Sequence, residues 1–270
     1  MPYLNQTFVA LLKEAQFTKQ LLGAGATEIR RANYASKGIY FQAFANLSTG
    51  LERIGKLCLM LDYYIETDGQ FPDLKYLKKD IGHNLLLLEE KAKQVIVTRQ
   101  LSIPAPSTAI HQAIVRLFCR FSEGDRYSNI DLLVGSTRQS DPIADWFNEV
   151  DTPIYELRVT KKKKEKINHN AEVGARLMGG SAFILHTSET GSEIAEFEEA
   201  SRRTGIFEAV APYRQLYVLQ IIRFWCTLTR KLQYLAMNIG KEDIPFFGEI
   251  FGPFENDDSY MKTRKTWDSI

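Results

Sequence analysis

Apolar residues recur every three or four positions through the first third of the chain: Tyr40, Ala43, Phe44, Leu47, Leu51, Ile54, Cys58, Leu61 and Ile65. That spacing predicts one long amphipathic helix. Thr27, with Glu28 and Ile29 behind it, is its expected N-cap, and Asp68-Gly69 before Pro72 its expected end. Ser48-Thr49-Gly50 is a weak point where the helix could bend. An earlier helix is expected from about Asn5 to Leu22, stopped by the glycine-rich "GAGA" acting as C-cap and connector. No strand precedes those glycines, so they do not form a phosphate-binding turn.

The four consecutive leucines Leu85 to Leu88 cover every direction around a helix. The expectation is a helix buried on all sides, running through the centre of the domain to about Gln100. Pro104 and Pro106 then enforce an extended linker. Ser107 or Thr108 caps the next helix, whose core face is Ile110, Ile114, Leu117, Phe118 and Phe121.

After Gly135 the pattern is less regular. "DPIADWFNEV" reads as a helix with Asp141 as N-cap and Pro142 at its first position. "TPIYELRVTKKKKEKINHN" fits helix or strand, and "SAFILHTSETGSE" fits a short strand and turn. A long helix is expected from near Pro212, with Tyr217, Ile221, Phe224, Leu228, Leu232 and Leu235 on its stripe and Gly240 at its end. The aromatic tail "IPFFGEIFGPFENDD" is expected to pack on the body without being helical. The predicted fold is mainly α: an antiparallel helical bundle over residues 1–135, and an irregular, mostly helical C-terminal half over 136–270 packed on it, either as an extension or as part of one continuous domain.

Charge narrows the function classes. Lys+Arg (34) nearly equals Asp+Glu (33), so nucleic-acid binding would need a local basic surface. Cys58, Cys119 and Cys226 lie far apart with no CxxC spacing, which fits small buried thiols better than a disulfide framework or zinc site. The segment "MPYLNQTFVALLKEAQ" has no basic n-region, and Leu216 to Leu228 is interrupted by Gln220 and Arg223, so neither a secretory signal nor a membrane span is expected. The expectation is a cytoplasmic protein without cofactor or metal.

Candidate chemistry gathers at a few places. His83 stands at a helix entrance, where the dipole favours a neutral imidazole able to act as a base. The simpler alternative is favoured: Gly82 makes the turn, Asn84 or Asp80 caps, and His83 marks the entrance. Glu52 and Lys56 are i,i+4 partners with Arg53 beside them, pointing away from the main stripe. They form either a cleft lining or a solvated ion pair beside an interface, the second being weightier. Leu59 and Met60 continue that far side, so a second layer or a subunit partner is expected there.

Arg116, Arg120 and Arg126 lie near Phe121 and Tyr127, which suits phosphate contact and base stacking, while Asp125 and Asp131 could equally neutralise the arginines. The run Lys161 to Lys166, with Lys161, Lys162 and Lys163 at its start, is a solvated face able to add salt-sensitive affinity for nucleic acid. His111 and His169 read as helix-surface residues, and His186 has no partner in sequence. No HExxH, GxSxG or Walker pattern occurs.

Glu52 and Lys56 in a long helix, then a turn and "GHNLLLL" opening another helix, resemble the HEPN superfamily over about residues 27–134. The matching positions are Glu52, Lys56, Gly82, His83, Asn84 and Leu85, with "FSEGDRYSNID" as a following corner. The resemblance implies a helical bundle, often dimeric, found in prokaryotic toxins, defence systems and RNA processing. Catalytic members carry an arginine followed by four to six residues and then a histidine. None of the four histidines here has an arginine so placed; Lys78 stands five before His83, but lysine lacks the planar fork that grips phosphate.

The expected function is therefore binding of RNA or a partner protein, in defence or stress response, by a homodimer formed through the Arg53-Leu59-Met60 side. One alternative is an unorthodox metal-independent ribonuclease with His83 as acid/base and Arg126 as phosphate clamp. Another is a structural scaffold. The expected polar site comprises Glu52, Lys56, His83, Asn84, Arg120, Arg126 and Tyr127, with Lys161, Lys162 and Lys163 as accessory contacts.

Overall fold

The computed structural model describes residues 5–137, 140–178, 180–181 and 183–268, the side chains of residues 79–81 excepted. The first helix, α1, spans Gln6–Arg31, capped by the Asn5 side chain accepting from the Phe8 amide. It does not stop at "GAGA". Gly23 and Gly25 are buried inside it because neighbouring chain comes too close for a side chain: a Cβ at Gly25 would lie 2.5 Å from Leu47 Cγ. Thr27 is not a cap either. It is buried in α1, its hydroxyl donating to the Gly23 carbonyl and accepting from the Trp267 amide. The chain breaks instead at Asn33, whose carboxamide accepts from the Ala35 and Ser36 amides.

Helix α2, Gly38–Glu66, carries the expected stripe and runs unbroken through Ser48-Thr49-Gly50. Gly50 admits Leu22 as Gly25 admits Leu47, and this pairing makes α1 and α2 antiparallel. Asp68 and Gly69, both at positive φ, turn the chain out of the helix as expected.

Helix α3 spans Leu85–Thr98 and α4 spans Ala109–Glu123. Only Leu85, Leu88, Ala92 and Val95 of α3 are buried, while Leu86 (43%) and Leu87 (37%) are exposed. This helix is thus a flank with one buried face. The central element is α2, which meets α1, α3, α4 and the late long helix. Arg99 binds Asp62 and Glu66, and Leu88 lies against Gly55, so α3 runs parallel to α2. The pairs Phe41–Phe121 and Phe44–Phe118 make α4 antiparallel to it. The linker before α4 forms neither helix nor strand, Thr108 provides the cap, and the five predicted core residues of α4 are buried.

Two short helices follow, α5 (Ser128–Leu133) and α6 (Pro142–Trp146), the latter capped by Asp141 with Pro142 first, as the sequence predicts. The ambiguous stretch resolves into α7 (Thr152–Arg158) and α8 (Lys161–Met178), and the hairpin β1 (His186–Thr187) and β2 (Glu193–Ile194) supplies the expected strand and turn. Helix α9, Phe197–Met237, starts fifteen residues before Pro212 and holds that proline inside it. An interior proline costs roughly 3 kcal/mol. Buried Ala209, Val210, Ala211, Val218 and Leu219 around it tie the helix into the core, which offsets that cost. The tail does pack on the body through Phe247, Phe251 and Phe254, but it does so with short helices, α10 (Phe247–Phe251) and α11 (Asp258–Thr263). One core runs from Leu11 to Trp267, so both halves of the chain contribute to it. The three cysteines are free and buried. No helix among the described residues is long and apolar enough to cross a membrane.

The side of α2 expected to pair subunits also contacts α1 within the chain. Leu59 is 3% exposed, and Arg53 forms two hydrogen bonds to the Glu14 carboxylate of α1 while its guanidinium lies over the Phe17 ring. Helix α1 thus supplies a second layer on the Arg53 side of α2.

Candidate functional site

An open cleft of about 710 Å³ lies where the start of α3 meets the end of α4 over the exposed face of α2. Gln42, Ala45, Ser48, Thr49 and Glu52 of α2 line it, because spacings of three and four put them on one face. Phe121, Ser122 and Glu123 come from α4, and Arg126 from the 3-10 turn Asp125–Tyr127 that follows. His83 completes the rim.

Backbone geometry places His83. The turn Tyr76–Ile81 ends at Gly82, whose φ of 63° belongs to the left-handed region that favours glycine. Asn84 then caps α3, its Oδ1 accepting from the Leu87 amide. The cap is therefore Asn84; the side chain of Asp80, the other candidate, lies outside the described residues. His83 is left between them with a side chain 78% exposed. Its Nδ1 lies 2.8 Å from Glu52 Oε1, and Lys56 Nζ lies 2.7 Å from the same oxygen. A carboxylate only accepts, so Nδ1 carries the proton in that hydrogen bond. A neutral imidazole then presents Nε2 as an unprotonated lone pair. Among the described residues nothing binds Nε2.

The opposite wall is fixed by Asn84 as well. Its Nδ2 donates to Glu123 Oε1 at 2.8 Å, and the Cys119 thiol reaches the same oxygen at 3.6 Å. Arg126 is exposed and stacks over the Tyr127 ring, 5.1 Å from its centroid. The cleft thus holds an imidazole with a carboxylate behind it, and a guanidinium on the same rim.

No protein-family model matches this chain. Comparisons with curated proteins and with solved structures find no match either.

Of the residues chosen from sequence, Glu52, Lys56, His83, Asn84 and Arg126 gather at this cleft. Arg120 does not. Its guanidinium binds Asp145 at 2.9 Å and Glu149 at 3.3 Å, so the acids of α6 and the turn after it neutralise it, and Arg116 leans on Glu149 at 3.7 Å. Tyr127 is half-exposed beside Arg126 without lining the cleft. Lys161, Lys162 and Lys163 project from the exposed start of α8 and do not line it either.

Sequence reasoning missed Glu123, which lay in the quoted corner but carried no local mark of its pairing with Asn84, thirty-nine residues away. His111 was misplaced. It is buried, with Nδ1 on the Thr108 hydroxyl at 2.9 Å and Nε2 on Gln220 Oε1 at 2.8 Å, and burial pushes its pKa down. The buried pair Asp151–Arg214 was missed altogether. Arg214 binds Asp151 Oδ2 at 2.5 Å and the Ala32 carbonyl at 2.8 Å, while Asp151 also accepts from Trp146 Nε1. Burial pushes the Asp151 carboxyl up to about 6 against the pull of Arg214. An arginine two residues into the apolar run after Pro212 was the available signal.

Proposed function

We propose that this cleft receives the phosphodiester backbone of single-stranded RNA, in the manner the HEPN-like features imply. The observation that supports this reading is the pairing of His83 Nδ1 with Glu52 while Arg126 lines the same cleft. A guanidinium on the rim offers two parallel donors to a phosphate, and the open shape admits a strand rather than enclosing a small ligand. Hydroxyl and amide groups of Ser122, Thr49 and Gln42 offer neutral contacts that would position the strand without reading its sequence.

The same pairing favours a second reading, cleavage of the bound strand. His83 Nε2 takes the proton of a ribose 2′-hydroxyl, and the 2′-oxygen attacks the adjacent phosphorus as the bond to the 5′-oxygen breaks. The proton returns to the leaving 5′-oxygen through water, and Arg126 stabilises the charge on the phosphoryl oxygens. The products are a 2′,3′-cyclic phosphate and a 5′-hydroxyl. Glu52 holds the imidazole in the tautomer this requires.

Labelled RNA incubated with the protein in excess chelator separates the outcomes. Wild type should retain RNA, and Arg126→Gln should lose most of that affinity. Fragments ending in cyclic phosphate, absent with His83→Ala, would establish cleavage; retention without fragments leaves binding alone. A wild-type protein that neither retains nor cuts RNA sinks both readings.

A further inference from the structure

Helices α8 and α9 approach each other through two glycines. Phe197 lies over Gly174 and Ile167 over Gly205, which makes the pair antiparallel and brings Lys166 level with the Thr204–Gly205 turn of α9. Beside these contacts runs a groove of about 380 Å³. Lys163, Lys166 and Asn170 line it from α8, on one face at spacings of three and four, and Ser201 and Thr204 line it from α9. Tyr34 closes it, its hydroxyl 3.2 Å from both Thr204 Oγ1 and the Ala200 carbonyl.

The lysine run divides at this groove. Lys164 pairs with Glu156 at 2.6 Å and Lys161 with Glu165 at 3.9 Å. Among the described residues Lys163 and Lys166 make no ion pair, and the Asn170 and Ser201 side chains make no hydrogen bond. The groove carries one carboxylate, Glu208. Two unneutralised ammonium groups on successive turns repel each other, and an anion between them reverses the sign of that interaction.

We infer that this groove binds a phosphate group of a nucleotide or an RNA strand, at a site separate from the cleft and independent of it. Lys163 and Lys166 supply the charge. Asn170 and Ser201 supply neutral donors for the remaining oxygens, and the apolar floor of Ile167 and Phe197 faces the rest of the ligand. A tetrahedral phosphate suits four donors on two helices better than a planar carboxylate does.

The test uses fluorescence anisotropy at low salt with two probes, a short labelled RNA and a labelled mononucleotide, on an Arg126→Gln background that removes the cleft's contribution. Lys163→Gln/Lys166→Gln should weaken binding about tenfold, as loss of a specific phosphate contact would. Lys161→Gln/Lys162→Gln removes the same charge from the neighbouring run and should cost less than about threefold. Binding of both probes assigns a single-nucleotide site, and binding of RNA alone assigns a strand. Absence of binding with both probes, or equal losses in the two variant pairs, overturns the assignment. The cleft reading is judged by Arg126→Gln against wild type, and this one by Lys163→Gln/Lys166→Gln within the Arg126→Gln background, so failure of the cleft reading and failure of this one are distinguishable.

Discussion

Asn84 joins two helix ends at once: its Oδ1 caps α3 through the Leu87 amide at 2.9 Å, and its Nδ2 holds Glu123 at the end of α4 at 2.8 Å. One carboxamide thus ties the start of α3, beside His83, to the end of α4.

Removing both bonds should be measurable. Asn84→Ala loses a cap of about 1 kcal/mol and an exposed hydrogen bond to a charged acceptor, so a loss of about 1–2 kcal/mol is expected from urea unfolding. Asn84→Asp keeps a capping oxygen but sets a carboxylate against Glu123. It should recover part of the stability in the single variant, and nearly all of it when Glu123→Gln is added. A double variant no more stable than Asn84→Asp would show that the contact with Glu123 has no weight.

The leucine run gives a direct contrast. Leu88 is fully buried against Gly55, and Leu86 is 43% exposed. Leu88→Ala should cost about 2–5 kcal/mol, and Leu86→Ala within about 0.5 kcal/mol of zero. Equal costs would restore the picture of a helix buried all round.

These leucines also show how far the sequence could be read. The α2 stripe was legible because Tyr40 to Ile65 repeat at one period and the helix buries that stripe. Leu85 to Leu88 carry no direction as a block; only Leu85, Leu88, Ala92 and Val95, at spacings of three and four, mark the buried face. Gly23 and Gly25 looked like a stop on propensity, yet tertiary packing requires them. At the site, His83 and Asn84 were visible from the turn before α3 and Glu52 from its pairing with Lys56. The contacts His83–Glu52 and Asn84–Glu123 join residues more than thirty positions apart, and no local pattern encodes them. Arg120 illustrates the converse: its neutralising acids sit twenty-five and twenty-nine residues downstream.

Gly23 and Gly38 should respond oppositely to the same substitution. A Cβ at Gly23 would lie 2.1 Å from the Trp267 carbonyl oxygen, a backbone atom with no rotamer to change, whereas at Gly38 nothing lies within 4 Å. Alanine is intrinsically better than glycine in a helix by up to about 1 kcal/mol. Gly38→Ala, at the first residue of α2, should gain a few tenths of that by thermal unfolding. Gly23→Ala should lose roughly 1–3 kcal/mol by overpacking and displace the C-terminal segment, read as increased protease cleavage near Trp267. A stabilised Gly23→Ala would show that the segment does not dock there.

Asp151 should make stability depend on pH in the direction opposite to an exposed, paired carboxylate. Its pKa stands at about 6 in the fold against an ordinary 3.8, because burial outweighs Arg214 and the Trp146 donor. The folded state then holds this proton more tightly than the unfolded chain. The contribution is fully present below pH about 4 and is lost as pH rises through about 6, a span of roughly 3 kcal/mol. Burial also raises Glu28 and Asp145, which adds in the same sense. Asp151→Asn removes the titration and mimics the shape of the protonated carboxyl, so the variant should be close to wild type in stability near pH about 4 and gain on it as pH rises through about 6. What decides the matter is the slope. Urea unfolding between pH about 4 and 6.5 should show the wild-type free energy falling relative to the variant. A constant difference between the two across that range would mean that Asp151 is ionised throughout and that Arg214 outweighs burial after all.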